Sequence, residues 1–167
     1  MKTNLADLKI PSQFLIKVEP IGYALFLDDV RDPNSSWMNY CIQCRGYDLV
    51  KWTIARSFDE FKAIIDEKGI PDYISYDHDL HDEHYDDSMW LGLDQYNEVA
   101  KNFKHPTGLE CAQYVLEKLG DKVHPPFFPH TQNPIGYIRI MALIADHNSK
   151  VLDFKCPWST KDRPAEV

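Results

Sequence analysis

Aspartates follow two apolar segments of the chain and define the first candidate chemistry. The pair Asp28-Asp29 comes directly after the run Tyr23–Leu27. The segment Asp77-His78-Asp79 comes directly after Tyr73–Tyr76. Adjacent carboxylates repel each other unless a cation neutralises them, and hard oxygen ligands with room for water and phosphate suit Mg²⁺ or Mn²⁺. The predicted metal ligands are Asp28, Asp29, Asp77 and Asp79.

A third polar segment, His130-Thr131-Gln132-Asn133, precedes a predicted helix. The free N–H groups at a helix N-terminus favour an anion, and histidine is the side chain that most often serves as a general acid or base. The predicted catalytic residues are His130, Asp77 and Asn133. The predicted substrate-binding residues are Thr131, Asn133, Arg31 and His78.

These residues also have structural interpretations, which the sequence leaves open. Acidic residues populate exposed loops in most proteins, His130 could be a hydrogen-bonded core residue, and Arg31 could lie on the surface. The segment Asp77–His84 alternates His and Asp as some metal sites do. It follows a strand, however, whereas the HD phosphohydrolases are mainly helical. His81 and His84 are therefore interpreted as solvated loop residues.

Composition and charge limit the class of protein and its partners. With 167 residues, no secretory signal and no apolar run of membrane length, the chain predicts one cytoplasmic domain that does not enter a membrane. The C-x-x-C spacing of Cys41 and Cys44 has no second close pair and is interpreted as two loop thiols. The net charge of −8 disfavours a long duplex nucleic acid. A small phosphorylated nucleotide or an RNA 3′ end remains compatible with it if a metal supplies positive charge.

Apolar runs and capping signals predict an alternation of strands and helices. The predicted strands are Tyr23–Leu27, Leu49–Ala55, Tyr73–Tyr76, Phe127–Phe128 and Val151–Phe154. The predicted helices begin at the capping box Ser57–Glu60, at Thr107-Gly108 and at Asn133-Pro134. The buried face of the last helix is predicted to contain Ile135, Ile138, Ala142 and Ala145.

This alternation predicts a parallel sheet covered by helices. In such sheets, ligands bind beyond the carboxyl ends of the strands. Asp28, Asp77 and His130 each follow a predicted strand, so the sequence predicts that they converge on one edge of the sheet.

Several segments resemble the receiver domain of two-component signalling. Leu25–Asp29 is similar to its first strand with the acidic pair, and Pro71–Asp77 is similar to its third strand, with Asp77 at the phosphoacceptor position. Thr107–Glu110 resembles the segment that opens the third helix. Thr131 falls where receivers carry Thr or Ser, and Lys155 lies near the receiver lysine with a different spacing.

Three motifs are more similar to the cyclic-phosphate-processing receiver-like family: Leu27–Pro33, Ser75–Leu80 and His130–Gly136. The resemblance covers about residues 23–155. It implies a receiver-like (flavodoxin-like) α/β fold, a three-layer sandwich around a mostly parallel five-stranded sheet that lacks the first and last helices of a standard receiver. The predicted organisation is an N-terminal extension at 1–20, the domain at 21–157 with an insertion at about 78–106, and an irregular tail at 158–167.

The family is associated with RNA repair and with immunity in bacteria and phages. The resemblance implies a phosphoesterase, dependent on Mg²⁺ or Mn²⁺, that acts on cyclic nucleotides or on 2′,3′-cyclic phosphate ends of RNA. Asp77 serves either as a metal ligand or as the nucleophile. Two alternatives remain: a receiver that accepts a phosphoryl group on Asp77, and a non-catalytic protein that sequesters a cyclic nucleotide. In an enzyme or in a sequestering protein, aromatic residues of the insertion could stack on the base, or they could instead form a satellite core: Tyr85, Trp90, Tyr96 and Phe103.

Overall fold

The structure, a computed structural model, describes residues 22–35, 44, 46–85 and 92–152. Its strands are β1 (Ala24–Leu27), β2 (Trp52–Ala55), β3 (Tyr73–Tyr76) and β4 (Phe127–Pro129). Its α-helices are α1 (Phe58–Lys68), α2 (Leu93–Ala100), α3 (Gly108–Leu119) and α4 (Pro134–Val151). Short 3-10 helices occur at Tyr47–Leu49 and Asp82–His84. The predicted extension and tail lie outside the described residues.

The four strands form one parallel sheet in the order β2-β1-β3-β4. Leu27, the last residue of β1, is level with Ala55 in β2 and with Tyr76 in β3. Tyr76 is in turn level with Pro129, the last residue of β4. All four strands therefore end in one row, and the residues that follow them share one edge of the sheet.

Alternate residues of the strands face two separate apolar clusters. Leu25, Leu27 and Ile74 belong to the main core, together with buried side chains of α1, α3 and α4. Phe26 faces the other side, where it packs against Cys44 and Tyr47. No described α-helix contributes to this second cluster, so the third layer of the predicted sandwich stays a prediction.

Each helix that covers the sheet begins at a side chain that caps its free N–H groups. Ser57 accepts from the N–H of Glu60, and Thr107 accepts from that of Leu109. Asn133 accepts from the first N–H groups of α4, which has proline at its first position. These caps confirm the three predicted helix starts, because the cap side chain accepts from an N–H group that has no partner within the helix.

Two predictions at the end of the chain are wrong. Val151 and Leu152, placed in a fifth strand, are the last residue and the C-cap of α4, and the described residues contain four strands. The predicted buried face of α4 is also rotated, since Ile138 is 64% exposed whereas Ile140 and Ile144 are buried. The reason is a close approach at the start of the helix, where Gly136 packs on the ring of His78 and sets which face turns inward.

The backbone of β4 pairs with β3 on one side. The N–H of His130 donates to the carbonyl of Tyr76 at 2.8 Å, so the even-numbered residues of this segment supply the ladder donors. The ring nitrogen of Pro129 therefore faces away from β3, and proline removes no hydrogen bond from the ladder.

None of the helices in the described part of the chain is both long and apolar enough to cross a membrane.

Candidate functional site

Asp28, Asp29 and Asp77 lie together at the common end of β1 and β3, and we call them the carboxylate cluster. The backbone N–H of Asp28 donates to Ala55 at 3.1 Å, and that of Asp77 donates to Leu27 at 2.8 Å, which continues the ladder past the strand ends. One carboxylate oxygen from each aspartate lies within 4.8 Å of the other two. Asp28 and Asp77 are buried, and Asp29 is the solvent-facing member.

Arg31 bridges two members of the carboxylate cluster. Its Nε lies 2.6 Å from Oδ2 of Asp28, and its Nη2 lies 2.8 Å from Oδ2 of Asp77. Arg56 braces the same turn, because its Nη1 donates to the carbonyls of Asp28 and Arg31. The predicted phosphate-binding arginine therefore belongs to the site, where it serves as a counter-ion to the aspartates.

His130 contacts the carboxylate cluster from the interior of the protein. Its Nε2 lies 3.0 Å from Oδ2 of Asp28, and its Nδ1 lies 2.7 Å from Oγ of Ser75. Its ring stacks on Phe26, with the centroids 4.5 Å apart and the planes 10° from parallel. Only 1% of the His130 side chain is exposed, and this imidazole meets the carboxylate cluster at Asp28, which is also buried.

The three aspartates of the carboxylate cluster differ in the direction in which their pKa values are shifted. Burial raises the pKa of Asp77 to about 6, although the charge of Arg31 acts to lower it. Burial also acts to raise the pKa of Asp28, but the hydrogen bond from His130 and the charge of Arg31 hold it below its usual range. Burial raises the pKa of Asp29 as well. Asp28 is thus the firmly ionised member, and Asp77 is the one that takes up a proton in mildly acidic solution.

Asp79 and His78, two other predicted site residues, lie in a separate buried network. Oδ1 of Asp79 contacts Nδ1 of His78 at 2.8 Å and accepts from Nδ2 of Asn133 at 3.1 Å. Nε2 of His78 faces the hydroxyl of Tyr96 in α2 at 3.3 Å. The described residues thus place Asp79 outside the group that could hold a metal with Asp28, and they turn His78 towards α2 and α4.

Thr131 and Asn133 shape the turn between β4 and α4. Oγ1 of Thr131 accepts from the N–H of Asn133 at 3.1 Å. Oδ1 of Asn133 accepts from the N–H groups of Ile135 at 3.1 Å and Gly136 at 2.9 Å. Asn133 is buried and Thr131 is half-buried. A direct contact of Asn133 with a substrate would require these hydrogen bonds to be exchanged, so its predicted role stays a prediction.

Two contacts of the site were not predicted from the sequence. Ser75, a polar residue inside the apolar strand β3, holds His130, and that polarity was the only available signal. Tyr85 lies in the insertion, and its hydroxyl reaches Oδ1 of Asp29 at 2.9 Å and the carbonyl of Asp79 at 3.1 Å. Tyr85 is 47% exposed, so it forms part of the rim of the site.

The carboxylate cluster fits a hard divalent cation by its chemistry. It offers three carboxylates and no soft ligand, and Arg31 supplies one fixed positive charge against them. An all-oxygen set of this kind suits Mg²⁺ or Mn²⁺. The candidate ligands among the predicted residues are Asp28, Asp29 and Asp77.

A parallel sheet in the order β2-β1-β3-β4, with acidic residues beyond β1 and β3, is the arrangement expected of a receiver domain. The family model described as the cyclic-phosphate processing receiver domain matches residues 23–146. The chain belongs to this family. The match runs from β1 into α4 and includes the carboxylate cluster, His130 and the whole insertion. Comparison with curated proteins and with solved structures gave no match.

Membership of the cyclic-phosphate processing receivers links this domain to the processing of cyclic phosphates. The predicted convergence of Asp28, Asp77 and His130 on one edge of the sheet is present in the structure. At this edge, an arginine and a buried histidine both contact Asp28, the first aspartate after β1.

Proposed function

We propose that this receiver domain is a Mg²⁺- or Mn²⁺-dependent phosphoesterase that opens cyclic phosphates. Its substrates would be cyclic nucleotides or the 2′,3′-cyclic phosphate end of an RNA, in the setting of RNA repair or of phage defence and counter-defence. The observation that carries the proposal is the carboxylate cluster, with its three oxygens within 4.8 Å of one another and Asp28 backed by His130 at 3.0 Å.

Asp28, Asp29 and Asp77 would hold the cation. When bound there, Mg²⁺ or Mn²⁺ polarises the phosphodiester and balances the charge that develops in the transition state. The half-buried position of Asp29 leaves one side of the cluster accessible to a ligand. A net charge of −8 is consistent with a short substrate that is held by this local positive charge rather than by a basic surface.

Arg31 and Thr131 would bind the nonbridging phosphate oxygens. The guanidinium of Arg31 now contacts Asp28 and Asp77, and it would turn towards the phosphate when the cation neutralises those carboxylates. Guanidinium binds phosphate through two parallel hydrogen bonds, which also orients it. Tyr85, exposed at the rim, would contact the sugar or base of the substrate.

Asp28 and His130 would handle the proton of the reaction. Water attacks phosphorus, the bond to one ring oxygen breaks, and the leaving oxygen must gain a proton while the attacking water loses one. Nε2 of His130 lies on Asp28 and Nδ1 lies on Ser75, so the imidazole can supply or take a proton through the carboxylate. This pair is therefore the candidate acid and base of the domain.

The proposal is tested by incubating the purified protein with 2′,3′-cyclic nucleotides, cyclic dinucleotides and an RNA that ends in a 2′,3′-cyclic phosphate. We expect ring opening in the presence of Mg²⁺ or Mn²⁺ and no ring opening in the presence of EDTA. Chromatography or ³¹P NMR measures the product. His130→Ala should lower the rate about 10²- to 10⁴-fold, the usual contribution of a positioned acid or base. His147→Ala removes a histidine of α4 that contacts Lys122 and is the matched control, with the rate of the wild type expected.

Absence of turnover by the wild type on all three substrate classes would refute the enzymatic proposal. Undiminished turnover by His130→Ala would remove the assigned role of His130. The family position of Asp77, at the end of β3, also favours a second candidate, phosphoryl acceptance on this carboxylate. Mass spectrometry of the protein after incubation with acetyl phosphate distinguishes the two, because only an acceptor gains a phosphoryl group that Asp77→Asn abolishes.

A further inference from the structure

Three polar side chains of the insertion lie together on the surface, separate from the carboxylate cluster. His81 and Glu83 follow β3, and His105 stands two residues before Thr107, the N-cap of α3. Each offers one ligand atom, and these three atoms lie within 4.8 Å of one another. We call His81, Glu83 and His105 the imidazole cluster.

The two rings of the imidazole cluster face each other closely. Their centroids are 3.7 Å apart, and their planes differ by 12°. Oε1 of Glu83 accepts from Nδ1 of His105 at 2.9 Å and also from the backbone N–H groups of Lys104 at 2.8 Å and His105 at 2.7 Å. A carboxylate has a second oxygen and about four acceptor positions, so Glu83 retains capacity for a cation.

A buried histidine fixes the backbone beneath the imidazole cluster. Nδ1 of His84 accepts from the N–H of Leu80 at 3.0 Å, so its Nε2 carries the proton that is donated to the carbonyl of His105 at 3.1 Å. His84 is fully buried, so the prediction that it is a solvated loop residue is wrong, and its ring packs at an angle of 49° against that of Phe103. Both ends of the insertion are therefore tied together, and His81 and His105 are held near each other before any ion binds.

We propose that the imidazole cluster binds a zinc ion or a similar divalent transition metal. Imidazole nitrogen suits zinc, copper and nickel, whereas the all-oxygen carboxylate cluster suits Mg²⁺ or Mn²⁺. Two histidines and one glutamate supply three ligands and leave a fourth tetrahedral position for water or another donor. Both histidines are exposed, so each ring has room to rotate and point a nitrogen at one ion. This inference does not depend on the proposed function.

Metal binding at this cluster would tie His81 and Glu83 to His105. Tyr85 lies two residues beyond Glu83, and its hydroxyl contacts Asp29 at the rim of the receiver site. A metal at the imidazole cluster would therefore hold that rim residue in place from outside the site.

The inference is tested by titrating Zn²⁺ into the metal-free protein against a coloured chelator, with excess Mg²⁺ present to occupy the carboxylate cluster. We expect one zinc ion per chain. His81→Ala and His105→Ala should each bind it at least about tenfold more weakly, because even the loss of a residue that only hydrogen-bonds to a metal ligand lowers the affinity about tenfold or more. His105→Gln keeps a polar side chain and should show the same loss, and circular dichroism verifies that each variant is folded.

Two matched controls separate the imidazole cluster from other ligands. His147→Ala and Asp77→Asn should bind zinc like the wild type, because neither residue belongs to the cluster. Co²⁺ substitution should give visible d–d absorption that His105→Ala abolishes, without a thiolate charge-transfer band. No zinc binding by the wild type, equal affinity in both histidine variants, loss of the ion in Asp77→Asn, or a thiolate band would each overturn the inference.

Discussion

Asp77 has a carboxylate that burial leaves poorly solvated. It is 2% exposed, and its compensating partner is the guanidinium of Arg31 at 2.8 Å from Oδ2. Burial outweighs this attraction and raises the pKa of Asp77 to about 6. Asp77 is still mostly ionised at neutral pH, but its ionisation costs more free energy in the folded protein than in the unfolded chain, and a cation at the carboxylate cluster would offset that cost.

This shifted pKa makes stability depend on pH in a defined direction. The folded state binds the Asp77 proton more tightly than the unfolded state, so the free energy of unfolding contributed by this group rises as the pH falls through about 6. Relative to Asp77→Asn, the wild type should gain roughly 1 kcal/mol between about pH 7.5 and about pH 5 in EDTA. Urea unfolding of both proteins at each pH measures it, and a difference that stays constant or falls towards acid contradicts the assigned pKa.

The types and order of the site residues were predictable, but their pairing was not. Asp28, Asp77 and His130 follow strands that had to be parallel, so their convergence followed from topology. The position of Arg31 between two carboxylates depends on a side-chain rotamer that no periodicity encodes. The contacts of Asp79 were not predictable from the sequence either. Its carboxylate contacts His78 and Asn133 instead of joining the carboxylate cluster.

At the scale of elements, the start of α3 holds the end of β3 in place. The N–H of Gly108 donates to the carbonyl of His78 at 2.8 Å. A Cβ added to Gly108 would lie 1.9 Å from the carbonyl oxygen of Asp77. Only glycine permits the helix to approach the strand so closely, and the backbone of Asp77 is set by that approach.

Gly108→Ala should therefore displace β3 and weaken the carboxylate cluster together with the fold. We expect a loss of about 1–3 kcal/mol in the free energy of unfolding, the usual cost of overpacking, and a lower affinity for Mn²⁺. Chemical denaturation and manganese titration measure the two effects.

Gly92→Ala is the matched control for Gly108→Ala, since a Cβ at Gly92 has nothing within 4 Å. Gly92 is the N-cap of α2, so its replacement should cost at most about 1 kcal/mol and leave manganese binding unchanged. Equal losses in the two variants would mean that the contact between Gly108 and Asp77 does not position the site.

The first residues of the helices were easier to predict from the sequence than the face that each helix buries. Ser57, Thr107 and Asn133 mark helix starts through local hydrogen bonds, which the sequence encodes directly. The inward face of α4 depends instead on the tertiary contact of Gly136 with His78. The apolar run that begins at Val151 was ambiguous between strand and helix, and α4 includes Val151 and has Leu152 as its C-cap.

At the scale of the whole molecule, the protein has a net charge of −8, and three of its carboxylates lie together in the carboxylate cluster, where they repel one another. A cation that binds only the folded state must raise its stability. We expect Mg²⁺ or Mn²⁺ to raise the melting temperature, with a gain of about 2.7 kcal/mol when the free ion reaches about 100 times its dissociation constant. Differential scanning fluorimetry with EDTA as the reference measures this shift.

Two controls assign this stabilisation to the site rather than to general screening. NaCl at the same ionic strength should give a smaller shift, since screening acts on all exposed charges alike. Asp29→Asn should reduce the response, whereas Asp121→Asn, at an exposed position after α3, should retain it. A full response in Asp29→Asn would show that the ion stabilises the protein elsewhere.

The proline at the end of β4 also bears on how this protein behaves in a crowded solution. An unprotected edge strand invites a strand from a neighbouring molecule, and such additions seed aggregates. Pro129 is itself buried, and on the side of β4 away from β3 it offers no amide hydrogen with which an added strand could pair. The same residue leaves the inner ladder intact, so the sheet gains protection against edge-to-edge growth without weakening the row of strand ends on which the site is built.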